Sequence, residues 1–124
     1  MKRIFVLLSA LLLTACSDTF DIQLEPEVTA FIGDSNGQQI KLTKSNPEYV
    51  MLNEWLREHR ADWMLTSGRY NGGVFIQSGK YGIQVTNTTV VIYSTEGTDP
   101  QAIYIQNIKK SELGEIKQLG QING

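Results

Sequence analysis

Residues 74–94 read VFIQSGKYGIQVTNTTVVIYS, and this stretch decides the fold. Its apolar runs, Val74–Gln77, Tyr81–Thr86 and Thr89–Ser94, are joined by turns at Gly79-Lys80 and Asn87-Thr88. Links this short can only fold a strand back beside its predecessor, because parallel neighbours need a crossover of about a dozen residues or more. In the middle run Tyr81, Ile83 and Val85 alternate with Gly82, Gln84 and Thr86. That period of two predicts a strand with one face on a core and the other in water. Valine, isoleucine, tyrosine and threonine suit a pleated surface. The segment therefore predicts three strands of an antiparallel meander.

Upstream, Ser67–Gly73 reads as a glycine-rich loop and Trp63–Thr66 as a short apolar strand. Before these, Tyr49, Leu52, Leu56 and His59 fall on one helical stripe, widened by Val50 and Trp55, with Asn53, Glu54, Arg57 and Glu58 outside it. The spacing predicts an amphipathic helix over about Pro47–His59, with proline in its first turn and Ser45-Asn46-Pro47-Glu48 spaced as a capping box. Further back, Glu27–Ile32 and Gln38–Thr43 form a hairpin pair around Asp34-Ser35-Asn36-Gly37, whose Asn-Gly step supplies the positive φ a tight turn needs. Downstream, Ala102–Gln106 is a last strand, and Ser111–Leu119 is a short helix ended by Gly120. The predicted order is ββ-α-βββββ-α. It describes a single α+β domain, an antiparallel meander sheet with the main helix packed on one face and a short C-terminal helix.

The first fifteen residues differ from all of this. Lys2 and Arg3 precede an apolar run, Ile4–Leu13, broken only by Ser9. That is the n-region and h-region pattern of an export signal, and it falls short of the roughly 20 apolar residues that a membrane-spanning helix requires. The run ends at Leu13-Thr14-Ala15-Cys16. Here the chain resembles bacterial lipoprotein precursors, whose lipobox sets an aliphatic residue and two small residues before a cysteine. The resemblance covers residues 1–16. It implies a diacylglyceryl group on the Cys16 sulfur and signal cleavage between Ala15 and Cys16. It also implies an outer-membrane destination facing the periplasm, because Ser17 rather than an aspartate follows the cysteine. Lipid matters energetically, since each buried methylene contributes about 0.8 kcal/mol and two chains hold where one barely does. The expected organisation is a signal peptide over 1–15, a lipidated tether over 16–26 and the globular domain over 27–124.

Composition narrows the choice of partner. The whole chain has a formal charge of −2; the leader contains two cations and no acid, so what remains stands at −4. An acidic domain is a poor match for nucleic acid or for anionic headgroups, both of which call for a basic face. About 110 residues can bury a core without disulfide or metal support, and Cys16 is the sole cysteine.

Candidate chemistry is sparse. His59, the one histidine, stands where it can cap the last carbonyls of its helix. No Gly-x-Ser-x-Gly elbow accompanies it, so a hydrolytic triad is not suggested. Zinc wants three or four Cys, His or acidic ligands, and Asp34-Ser35-Asn36-Gly37 begins like a calcium loop without the later ligands. Neither metal nor cofactor is expected. Glycines 68, 72 and 73 lack the Gly-Lys-Ser/Thr ending of a phosphate loop. Arg69 and Tyr70, set among those glycines, are the candidate partner-binding residues, because both types are enriched at binding hot spots. Trp55, Trp63, Tyr81 and Tyr93 are assigned to packing.

The expectation is a lipid-anchored envelope protein whose domain binds a protein partner without catalysis, as an inhibitor, immunity or assembly-accessory protein does. One alternative is a structural lipoprotein contacting peptidoglycan. The other, weaker because of the poor side-chain inventory, is a cell-wall-active enzyme.

Overall fold

The computed structural model describes residues 19–32, 38–97 and 99–121. The expected leader, the expected lipidation and cleavage site at Ala15 and Cys16, and the expected turn at Asp34–Gly37 lie outside the described residues. Among the described residues there are seven strands: β1 (Glu27–Ile32), β2 (Gln38–Thr43), β3 (Met64–Leu65), β4 (Val74–Ser78), β5 (Tyr81–Val85), β6 (Thr89–Ser94) and β7 (Gln101–Asn107). The described residues also form two helices, α1 (Pro47–Glu58) and α2 (Gly114–Gln121). All seven strands join one antiparallel sheet in the order β2-β1-β4-β5-β6-β7-β3. The α+β class, the meander and both helices match the sequence expectation.

Register explains where the core lies. Ala30 pairs with Ile76, Ile76 with Ile83, Ile83 with Ile92 and Ile92 with Tyr104, giving one row across five strands. Side chains in such a row share a face. The row is covered by Leu52 and Leu56 of α1 and Ile116 of α2, all fully buried. Each buried isoleucine or leucine contributes about 1.5–3 kcal/mol, so this layer is the main driving force for the fold.

The capping box does not form. Asn46, with extended backbone, is the N-cap of α1. Its Oδ1 instead accepts the Thr43 N–H at 2.8 Å, which closes the turn leaving β2. At the other end, the His59 N–H and Nδ1–H both donate to the Trp55 carbonyl, at 3.0 and 2.9 Å, and the helix stops at Glu58. The C-terminal helix begins three residues later than expected. Leu113 has φ +57°, a left-handed conformation that no right-handed helix accommodates. The helix also runs through Gly120 to Gln121 rather than ending at it.

Residues 20–25, which precede the expected start of the domain at Glu27, pack on its body. Ile22 and Leu24 are buried in the main core and Phe20 packs against it. The backbone is fastened as well. Phe20 N–H donates to the Arg60 carbonyl at 2.8 Å, Leu24 N–H to Asn53 Oδ1 at 3.1 Å and Glu25 N–H to Ser78 Oγ at 2.9 Å. Tyr49 Oη–H closes the strap by donating to the Glu25 carbonyl at 2.7 Å. Phe20, Ile22 and Leu24 alternate with Asp21, Gln23 and Glu25, the period of an extended segment buried on one side.

The face expected to be wet is partly covered. Val91, Tyr93 and Ala102 form a second buried cluster there, with Phe75 and Ile105 against it. Gln84, assigned to solvent by alternation, is only 4% exposed. The segment 66–73 covers it by folding back over the sheet, with Gly68, Gly72 and Gly73 all at positive φ. At Gly73 a side chain would run into the Val85 carbonyl. The loop needs glycine there on both counts.

Candidate functional site

Two surfaces combine polar groups with an exposed apolar side chain, Val50 on one and Tyr70 on the other. The first lies between the helices. α1 turns Tyr49, Leu52, Trp55 and Leu56 inward, which leaves Val50 exposed on its flank and Met51 half-buried. The turn before α2 lies alongside. Together they line an open groove of about 620 Å³ whose apolar floor and walls are Pro47, Val50, Met51, Trp55 and Leu113. Glu54, Glu58, Glu112 and Glu115 border it.

Glu112 fixes the shape of this groove. Its Oε2 accepts the Trp55 indole N–H at 2.9 Å and its Oε1 accepts the Lys109 N–H at 3.0 Å. The Lys109 amide first, and the indole second, hold the Glu112 carboxyl below the ordinary carboxylate range, against a smaller opposing effect of burial. Trp55 is in turn stacked on His59, with ring centroids 4.2 Å apart and planes 10° from parallel. Lys117 ties the same turn to the sheet by donating to the carbonyls of Asn87, Lys109 and Lys110 at 3.0–3.1 Å. Burial lowers the Lys117 pKa, and the nearby Glu112 charge opposes that shift. The remaining glutamates, Glu54, Glu58 and Glu115, are exposed. Among the described residues the one ion pair is Arg69–Asp99, so none of these three is neutralised by a salt bridge there.

The second surface is the loop over the opposite face. Gln84 Nε2 donates to the carbonyls of Tyr70 and Gly72 at 2.9 and 2.6 Å, while Gln84 Oε1 accepts the Tyr93 hydroxyl proton. Tyr93 Oη accepts the Tyr70 N–H at 2.9 Å. Burial raises the Tyr93 pKa, partly offset by that Tyr70 amide. Arg69 and Tyr70 thus sit on a loop whose backbone is held by a buried network. Arg69 pairs with Asp99 at 3.1 Å, between two exposed side chains. A surface pair of this kind adds little stability. The Tyr70 hydroxyl shares a hydrogen bond with Thr66 Oγ1, and its ring stays partly exposed. Arg69 and Tyr70 lie on the sheet face away from the helices, so the structure does not bring them to the groove.

His59 acts as a helix cap, and Trp55 and Trp63 are buried. The described residues contain no cluster of three His, Cys, Asp or Glu side chains set to hold a metal ion, and no helix among them is long and apolar enough to cross a membrane. Sequence reasoning missed the groove. Val50 was assigned to the core stripe, yet a second helix beside α1 leaves it facing the gap. The width of the apolar stripe, which exceeds what one sheet face can cover, is the signal that could have found it.

Compared with protein-family models, with curated proteins and with solved structures, the chain gives no match.

Proposed function

We propose that this protein is a lipid-anchored component of the bacterial cell envelope that holds a protein partner in the groove between α1 and α2. The observation that carries the binding reading is the combination of an apolar floor with unneutralised carboxylates around it. Apolar surface supplies the driving force for association, and charge at the rim sets orientation and partner choice. The complementary ligand is a protein segment that presents apolar side chains flanked by lysine or arginine. The protein acts by occupancy rather than turnover, as an inhibitor, immunity or accessory protein does. The anchor reading rests on the Leu13–Cys16 stretch, and the outer-membrane placement on Ser17 after it.

A photo-crosslinking residue in place of Val50, in cells that make the full-length protein, tests the groove. One discrete adduct is expected from position 50 and none from Lys41, whose row with Thr29 and Gln77 lies on the sheet face away from the helices. The adduct should vanish when Glu54→Lys and Glu58→Lys are added. No adduct at 50, or the same adducts from 41, would count against the groove.

A further inference from the structure

We infer that the β3 edge of the sheet, led by Met64 and Leu65, rests on the lipid surface that anchors the protein. This inference rests on the anchor reading given above. Leu65 is 74% exposed and Met64 is 53% exposed, the two most exposed large apolar side chains among the described residues. They form an edge strand, a position that soluble proteins usually protect with charge, proline or a covering element.

Chain length says what covers it. Only Ser17, Asp18 and Thr19 separate Cys16 from Phe20. Phe20 is already part of the body, bonded through its N–H to Arg60 and packed by its ring on Trp63, Tyr81 and Tyr104. Even a fully extended link from Cys16 to Phe20 spans only about 14 Å. The domain therefore cannot stand away from the bilayer; the region around Phe20 must lie close to it. Leu65 belongs to that region. It pairs directly with Tyr104, so the two side chains share a face, and the Tyr104 ring centre is 4.9 Å from that of Phe20. Beside the entry point exposed Arg60 is outnumbered by exposed Asp21 and Asp62, so no basic patch is there to bind headgroups and the contact is apolar rather than electrostatic. The sheet then stands on its β3 edge. The opposite edge, β2, lies six strand spacings away, about 29 Å at ordinary sheet dimensions.

The test uses the mature lipidated protein in vesicles of phosphatidylethanolamine and phosphatidylglycerol that carry a nitroxide on the acyl chain. Leu65→Cys and Lys41→Cys are each labelled with an environment-sensitive fluorophore; an acylated Cys16 offers no competing thiol. Both positions are exposed, so neither change threatens folding. Flotation with the vesicles comes first. Protein that stays behind has no anchor, and the inference falls together with the anchor reading. In floating protein, the label at 65 should be quenched by the lipid nitroxide about threefold or more relative to the label at 41, as befits a side chain at the headgroup boundary. Equal quenching at the two positions overturns the inference and leaves the anchor standing. So does a label at 65 that is shielded from aqueous iodide yet unquenched by lipid, because a protein or a second copy then covers the edge.

Discussion

Replacing Glu112 with alanine removes the acceptor that fixes Trp55 and the turn before α2. The indole N–H is at 2.9 Å from a carboxylate, and Trp55 is only 6% exposed, so its loss leaves a donor with poor access to water. Such a loss costs about 1.5 kcal/mol, and the exposed Lys109 amide, which can turn to solvent, adds about 0.5. The expected total is about 2 kcal/mol. For a domain of this size, each kcal/mol lowers the melting temperature by about 4–8 °C, so Glu112→Ala should melt about 8–16 °C below the parent at neutral pH. Acid should narrow the gap. The folded-state pKa of Glu112 lies below the ordinary 4.5, so its contribution is fully present above that value and is lost as pH falls through the depressed one. Thermal unfolding of parent, Glu112→Ala and Glu112→Gln, followed by circular dichroism at neutral pH and in acid, reads both effects. Glu112→Gln keeps an acceptor without the charge and should fall between the other two. A drop of less than about 3 °C at neutral pH, or a gap unchanged well below the ordinary carboxylate pKa, would refute the reasoning.

Two further outcomes follow from the packing. Ile22→Ala should destabilise the domain by about 2–4 kcal/mol in denaturant titration, since Ile22 is 4% exposed in the main core; a loose tether would show no change. Gln84→Leu leaves the Tyr93 hydroxyl and the carbonyls of Tyr70 and Gly72 without their partner, so amide exchange over residues 66–73 should quicken about tenfold or more while β1 and β2 stay protected; unchanged exchange would mean that the network does not hold the loop.

The sheet and α1 were legible because their information is local. Period-two alternation at Tyr81–Thr86 and the stripe of Tyr49, Leu52 and Leu56 each fit inside one element. What escaped was non-local. Gln84 looks solvent-facing by alternation and is buried by a loop that begins eighteen residues earlier, at Thr66. Phe20, Ile22 and Leu24 carry a strand-like alternation, but no strand pairs with them, and bonds to Tyr49, Asn53, Ser78 and the Arg60 carbonyl fasten their backbone instead. The start of α2 turned on a single left-handed residue, Leu113, and leucine gives no hint of that conformation. Arg69 and Tyr70, singled out from their residue types and their glycine-rich loop, lie on the sheet face away from the groove. The groove required knowing that α2 lies beside α1.

Intact mass of the protein extracted from the membranes of its native host tests the envelope reading most directly. A chain beginning at Cys16 and heavier than its sequence by a diacylglyceryl group, with or without a further acyl chain, is the expected result. A full-length chain with a free thiol, or one trimmed at another residue, would contradict it.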